Sequence, residues 1–191
     1  GGTLDKLISL CLLENEPNVV VRTNAIWAIK NITYQSEFVV KQQILERLGK
    51  EIFYEWFHQE DVSIKSQALN LIRNALCGNS EEIAFILNFL GEKPFIAMLV
   101  QIFSLKQDVL TEQCIFILVN ILNGDDRNRN LFIQQQNRPI LEEIGNLLLH
   151  PAAEIRKGAL WAIYNLTCGD EGSVLVRVNV MKSLQFDFKI T

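Results

Sequence analysis

Four asparagines, Asn31, Asn74, Asn120 and Asn165, follow one another at 43, 46 and 45 residues, each inside an apolar stretch. An amide side chain donates through its nitrogen and accepts through its oxygen, so a row of amides can pair with the backbone of an extended peptide without reading its sequence. Four residues before each asparagine stands Trp27, Asn70, Phe116 or Trp161. Extended by residues three or four apart, which share one side of a helix, the pattern becomes a stripe: Asn24, Trp27, Asn31; Gln67, Asn70, Asn74; Gln113, Phe116, Asn120; Trp161, Asn165. It is a ladder of amides with aromatic shelves between them, able to cradle the side chains of a bound chain. A second reading stays open beside this one, in which each asparagine bonds the backbone of its own neighbouring repeat and each tryptophan is core.

The elements that would carry the stripe are helices. Counted from Trp27, Asn70, Phe116 and Trp161, aliphatics fall six residues before (Val21, Ile64, Leu110, Ile155) and small residues two before (Ala25, Ala68, Cys114, Ala159). Apolar residues follow two later (Ile29, Ile72, Leu118, Ile163) and five later (Ile32, Ala75, Ile121, Leu166). These offsets have helical and not strand period, so each copy is an amphipathic helix with one buried face. Between the copies the pattern predicts two shorter helices per unit. The expected ranges are 4–13 and 18–35; 36–48, 49–59 and 61–77; 80–90, 93–105 and 108–123; 126–136, 139–149 and 152–168. Gly78, Gly124 and Gly169 follow three of the long helices and read as left-handed C-terminal caps. A unit of three helices, longest last, at a spacing near 45 residues marks an array in which each unit packs mainly on its neighbours. The predicted organisation is one array over 1–191: a partial repeat at 1–35, repeats at about 36–78, 79–124 and 125–169, and a partial cap at 170–191. In that last segment Val174, Val176, Val178 and Val180 alternate as in a strand, but a lone strand has no ladder partner, and a helix is the preferred reading. The chain is expected to be cut from a longer array at its front and capped or truncated at its back.

Composition narrows the function. With 49% apolar residues the 191-residue chain can fill a continuous core. Its net charge of −4 argues against nucleic acid and against an anionic membrane surface, and no apolar run approaches bilayer length. Cys11, Cys77, Cys114 and Cys168 fall within the helical patterns and read as free, buried thiols of a reducing compartment. Asn31-Ile-Thr33 and Asn165-Leu-Thr167 match a glycosylation acceptor only because the repeat puts them there. Catalysis has no constellation to support it. His58 and His150 lie about two repeats apart, no Cys and His cluster has zinc spacing, and the glycines never form a phosphate-binding run. The carboxylate pairs Glu81–Glu82, Asp125–Asp126 and Glu142–Glu143 are adjacent on helices and point apart. We therefore expect no enzyme, no cofactor and no metal.

The stretches WAIKNIT (27–33) and WAIYNLT (161–167) resemble the third-helix signature of armadillo repeats, as in importin-α and β-catenin. The resemblance covers essentially the whole chain and implies an all-α, right-handed α-solenoid whose long third helices line the concave side. NAIWAIKNITYQ, IKSQALNLIRNALCGNSEEI, EQCIFILVNILNGDDRNRNLF and ALWAIYNLTCGDEGS, in that order, are similar to the armadillo-repeat subunit of GID/CTLH ubiquitin ligases. That similarity implies a cytoplasmic and nuclear scaffold whose repeats grip the tail of the substrate-receptor subunit among the other subunits. The stripe residues, with Arg73 beside them, would be the partner-binding set. The alternative is an importin-α-like or β-catenin-like adaptor for linear peptide signals. Asn70 and Phe116 replace tryptophan in the middle units, and only Glu112 supplies a carboxylate beside the stripe, so basic signals fit poorly. Lys30, Arg73, Arg22, Lys65 and Arg156 lie one residue off the stripe; they either face it, where an acidic segment or a terminal carboxylate would suit them, or belong to a solvated outer face.

Overall fold

The computed structural model describes residues 2–133 and 138–168, which form eleven helices and no strand. The first compact unit, Gly1–Glu92, contains α1 (Thr3–Cys11), α2 (Val19–Thr33), α3 (Phe38–Leu48), α4 (Lys50–His58), α5 (Val62–Ala75) and α6 (Ser80–Leu90). The second, Lys93–Thr191, takes up α7 (Glu92–Ser104) and contains α8 (Asp108–Leu122), α9 (Asp126–Ile133), α10 (Arg138–Leu147) and α11 (Ala153–Thr167). The described helices lie within two or three residues of their expected bounds. The end expected at residue 136, the cap at Gly169 and the segment 170–191 lie outside the described residues. No described helix is long and apolar enough by itself to cross a membrane.

Each unit is built in the same way. A long helix packs against the next long helix, α2 on α5 and α8 on α11, with two shorter helices intervening in sequence. The long helices of the first unit, α2 and α5, start where a short polar side chain satisfies free backbone donors: the Asn18 carboxamide accepts from Val20 N at 2.9 Å, and Asp61 accepts from Ser63 N at 2.8 Å. In the first unit the core is aromatic. Trp56 is fully buried, meets Phe53 edge-on at 5.4 Å and donates its indole N–H to the Cys11 carbonyl at 3.3 Å. In the second unit Gly158 lets α11 press onto α8: a β-carbon there would come within 2.7 Å of Ile115 Cγ2.

Cationic side chains tie the helix ends down. The Lys41 ammonium is 3% exposed at residue level, donates to the Cys77 carbonyl at 2.6 Å and pairs with Glu82 at 3.5 Å. Arg129 Nε donates to the Asn165 carbonyl at 3.0 Å. Both cations meet carbonyls at the C-terminal end of a long helix, where the helix dipole is negative.

Two expectations need correction. Gly78 and Gly124 are not left-handed caps; among the described glycines positive φ belongs to Gly49 (76°) and Gly91 (82°), at the first-to-second helix turns. α5 and α8 end on Leu76 and Asn123 in right-handed geometry, and the glycines beyond provide room, since a β-carbon at Gly78 would collide with the Glu82 side chain and one at Gly124 with that of Asn128. The cysteines also differ from expectation. Cys11 and Cys114 are buried helical thiols, but Cys77 and Cys168 lie just past helix ends, with Cys77 exposed. All four are free.

Candidate functional site

In the first unit, Asn24, Trp27 and Asn31 form the exposed side of α2. Trp27 is half exposed, and the Lys30 ammonium rests 5.7 Å from its ring centroid. Partial burial lowers the Lys30 pKa by desolvation. Toward the start of α2, Asn24 joins Val19, Val20, Thr23, the α5 N-cap Asp61 and Ser63 of α5 around a cavity of about 270 Å³. On α5 the stripe residues Gln67, Asn70 and Asn74 and the adjoining Arg73 are partly buried. The Asn74 carboxamide nitrogen donates to the Lys30 carbonyl at 3.4 Å, whereas Gln67 Oε1 is buried without a hydrogen-bond partner.

The second unit repeats the arrangement with more apolar material. Gln113 and Phe116 of α8 are buried, so of the expected stripe they present the least surface. Phe116 supports Trp161 from below, edge to face at 6.1 Å, while Trp161 itself is 51% exposed. The Lys157 ammonium lies 5.4 Å from the Trp161 ring centroid. Asn165 Nδ2 donates to the Val119 carbonyl at 3.0 Å. Together Val119, Asn120, Asn123, Trp161, Tyr164 and Asn165 line a cavity of about 300 Å³, large enough for one or two side chains of a bound chain.

Sequence reasoning missed Tyr164 and Asn123. Each follows a stripe residue, Trp161 or Asn120, by three positions, which is the helical spacing that would have found them. The Tyr164 hydroxyl has its pKa raised, first by a hydrogen bond with the Cys168 thiol. Both open readings of the asparagines have a physical counterpart: Asn74 and Asn165 bond the preceding long helix through nitrogen, while Asn24 and Asn120 border cavities.

The basic residues divide. Arg22 Nη1 donates to the Glu16 carbonyl at 2.7 Å, and Arg156 Nη1 donates to the His150 and Pro151 carbonyls, each at 2.7 Å. Through Nη1 these two arginines brace the turn that precedes their helix, while Arg22 Nε is buried without a hydrogen-bond partner. Lys30 and Lys157 reach the aromatic shelves. His58 and His150 belong to different units; His58 Nδ1 contacts the Tyr54 carbonyl at 2.6 Å, and His150 Nε2 lies 3.4 Å from Asp108. Among the described residues no group of His, Cys, Asp and Glu could hold a metal.

Comparison with known proteins follows the same lines. Residues 6–97 match the family described as the VID28/GID5 C-terminal domain. The chain is 28% identical to mouse armadillo repeat-containing protein 8 over 162 residues, 85% of this chain and 24% of that protein. It is 22% identical to GID complex subunit 5 of Schizosaccharomyces pombe over 136 residues, 71% of this chain and 17% of that protein. The chain thus spans about a quarter or less of the curated relatives it matches. Among solved structures, a designed armadillo repeat protein in complex with the peptide (KR)4 superimposes with a TM-score of 0.77 at 21% identity, covering 95% of this chain and 70% of that one.

Proposed function

We propose that this chain, which has the armadillo-repeat fold and is similar over most of its length to armadillo repeat-containing protein 8 and GID complex subunit 5, serves a GID/CTLH-type ubiquitin ligase as a non-catalytic scaffold. Its long third helices hold an extended segment of the substrate-receptor subunit. The observation that carries this reading is the pair Trp27 and Trp161. Both occupy one repeat position, both stand half exposed, and each has an anchor asparagine four residues on. Leaving so much aromatic surface in water forgoes burial at about 25 cal/mol per Å², a loss that a partner chain recovers.

The amides add backbone recognition. In Asn74 and Asn165 the nitrogen serves the array, so their oxygens are what a partner's N–H meets. Asn24 and Asn120 stand at the cavity edges. Such a surface binds an extended backbone broadly and selects side chains at the aromatic shelves. The same reading makes the chain a site of assembly with further subunits, working in cytoplasm and nucleus, where its four free thiols are stable.

The test is co-purification with the substrate-receptor subunit of a GID/CTLH ligase, using the wild type and a Trp27→Ala/Trp161→Ala variant whose helicity is verified by circular dichroism. The proposal expects at least about tenfold weaker capture by the variant, as loss of two aromatic anchors implies. Equal capture by both proteins would remove the third-helix face from the function.

A further inference from the structure

We infer that a segment held on the third-helix face of either unit carries carboxylates, and neither lysine nor arginine, opposite that unit's exposed tryptophan, Trp27 in the first and Trp161 in the second. The inference rests on the scaffold reading above and adds the chemistry of the partner. Its ground is that each exposed tryptophan already has one of the chain's own ammonium groups over its ring, Lys30 at 5.7 Å and Lys157 at 5.4 Å.

The face of an indole ring is its electron-rich side and attracts one cation. An incoming basic side chain would have to displace the resident lysine or sit beside a like charge. An incoming carboxylate meets the opposite situation, because the ammonium above the shelf attracts it while its methylene groups lie on the ring. Lys30 sits three residues after its tryptophan and Lys157 four residues before its own. The two lysines therefore occupy different repeat positions, and copying of a repeat does not account for both.

Charge around the shelves agrees. Lys30 makes no ion pair among the described residues, yet it is partly desolvated, which is a cation lacking its counter-charge. Lys157 has a counter-charge in Glu154 at 2.5 Å, but both partners are largely exposed and such a pair exchanges readily with a competing carboxylate. Asp61, the acidic residue on the first-unit cavity, is engaged by the backbone N–H groups of Ser63 and Ile64.

Fluorescence anisotropy with three labelled octapeptides, (KR)4, (DE)4 and a neutral (SA)4, tests this directly. At about 50 mM salt the wild type should bind (DE)4 at least about tenfold more tightly than (KR)4, and the preference should fall to about threefold or less at 500 mM, where screening acts within a few ångströms. A Lys30→Met/Lys157→Met variant should lose the preference of (DE)4 over (KR)4. Equal or tighter binding of (KR)4 by the wild type, or a preference that survives removal of both lysines, overturns the inference. If the peptides bind without charge preference and Trp27→Ala/Trp161→Ala abolishes binding, the scaffold face stands and only the charge inference falls. If no peptide binds, or the tryptophan variant binds as the wild type does, the scaffold face falls and the inference with it.

Discussion

The side-chain nitrogen of Asn165 donates to the Val119 carbonyl at 3.0 Å, and Asn74 makes the same bond to the Lys30 carbonyl at 3.4 Å in the other unit. In each case the acceptor is the residue just before the preceding anchor asparagine, Asn120 or Asn31. The asparagine is thus a spacer between long helices as well as a group on their exposed face. Asn165→Ala should cost about 1 kcal/mol, lowering Tm by about 2–4 °C in a thermal melt. Asn31, an exposed anchor with no such bond among those described, should cost less than half as much when changed to alanine.

Lys41 is the most deeply buried cation of the first unit, and its loss removes the ammonium that donates to the Cys77 carbonyl and pairs with Glu82. Lys41→Ala should destabilise the fold by about 2–3 kcal/mol in denaturant titration. Glu82→Gln should cost under about 1 kcal/mol, because the Glu82 side chain is 18% exposed and Lys41 keeps its bond to the carbonyl.

Gly158 permits the close approach of α11 to α8. Alanine there gains about 0.5–1 kcal/mol of helix propensity but drives its methyl into Ile115, an overpacking cost of about 1–3 kcal/mol. We expect net destabilisation for Gly158→Ala. In the double variant with Ile115→Ala the added methyl has space, so the combined loss should be smaller than the sum of the single losses.

Burial pushes the Cys11 thiol up to about 12 and the Cys114 thiol up as well, whereas Cys77 is exposed. Alkylation at about pH 8, followed by mass spectrometry, should modify Cys77 first and reach Cys11 and Cys114 only on unfolding. The sign of the pH effect follows. An unfolded thiol ionises near pH 8.5, so above that the unfolded state binds fewer protons than the native state, and stability falls with rising pH. The contribution of Cys11 is full below about 8.5 and is lost progressively toward 12.

Helical periodicity made the elements legible because burial imposes it. Ala25, Ala68, Cys114 and Ala159 are all buried as their offsets imply. What one-dimensional spacing does not carry is which groups cross from one helix to the next. Gly78 looked like a left-handed cap because it follows a helix; its use is the room it leaves for Glu82, a residue of the following helix. Arg22 and Arg156 looked free to meet a partner, yet each bonds the carbonyl of the residue before a proline six positions back, Glu16-Pro17 or His150-Pro151. That shared proline spacing was the available signal. For the stripe, the exposure of Trp27 and Trp161 and the burial of Gln113 and Phe116 depend on packing across helices, which identical repeat positions do not distinguish.

The central claim is that a partner chain covers Trp27 and Trp161. Acrylamide quenching of intrinsic fluorescence measures it directly, since the chain has three tryptophans and the third, Trp56, is fully buried and serves as an internal reference. On addition of the substrate-receptor subunit, itself stripped of tryptophan, the quenchable fraction should fall toward that of a Trp27→Phe/Trp161→Phe variant. Binding that leaves the quenchable fraction unchanged would contradict the account.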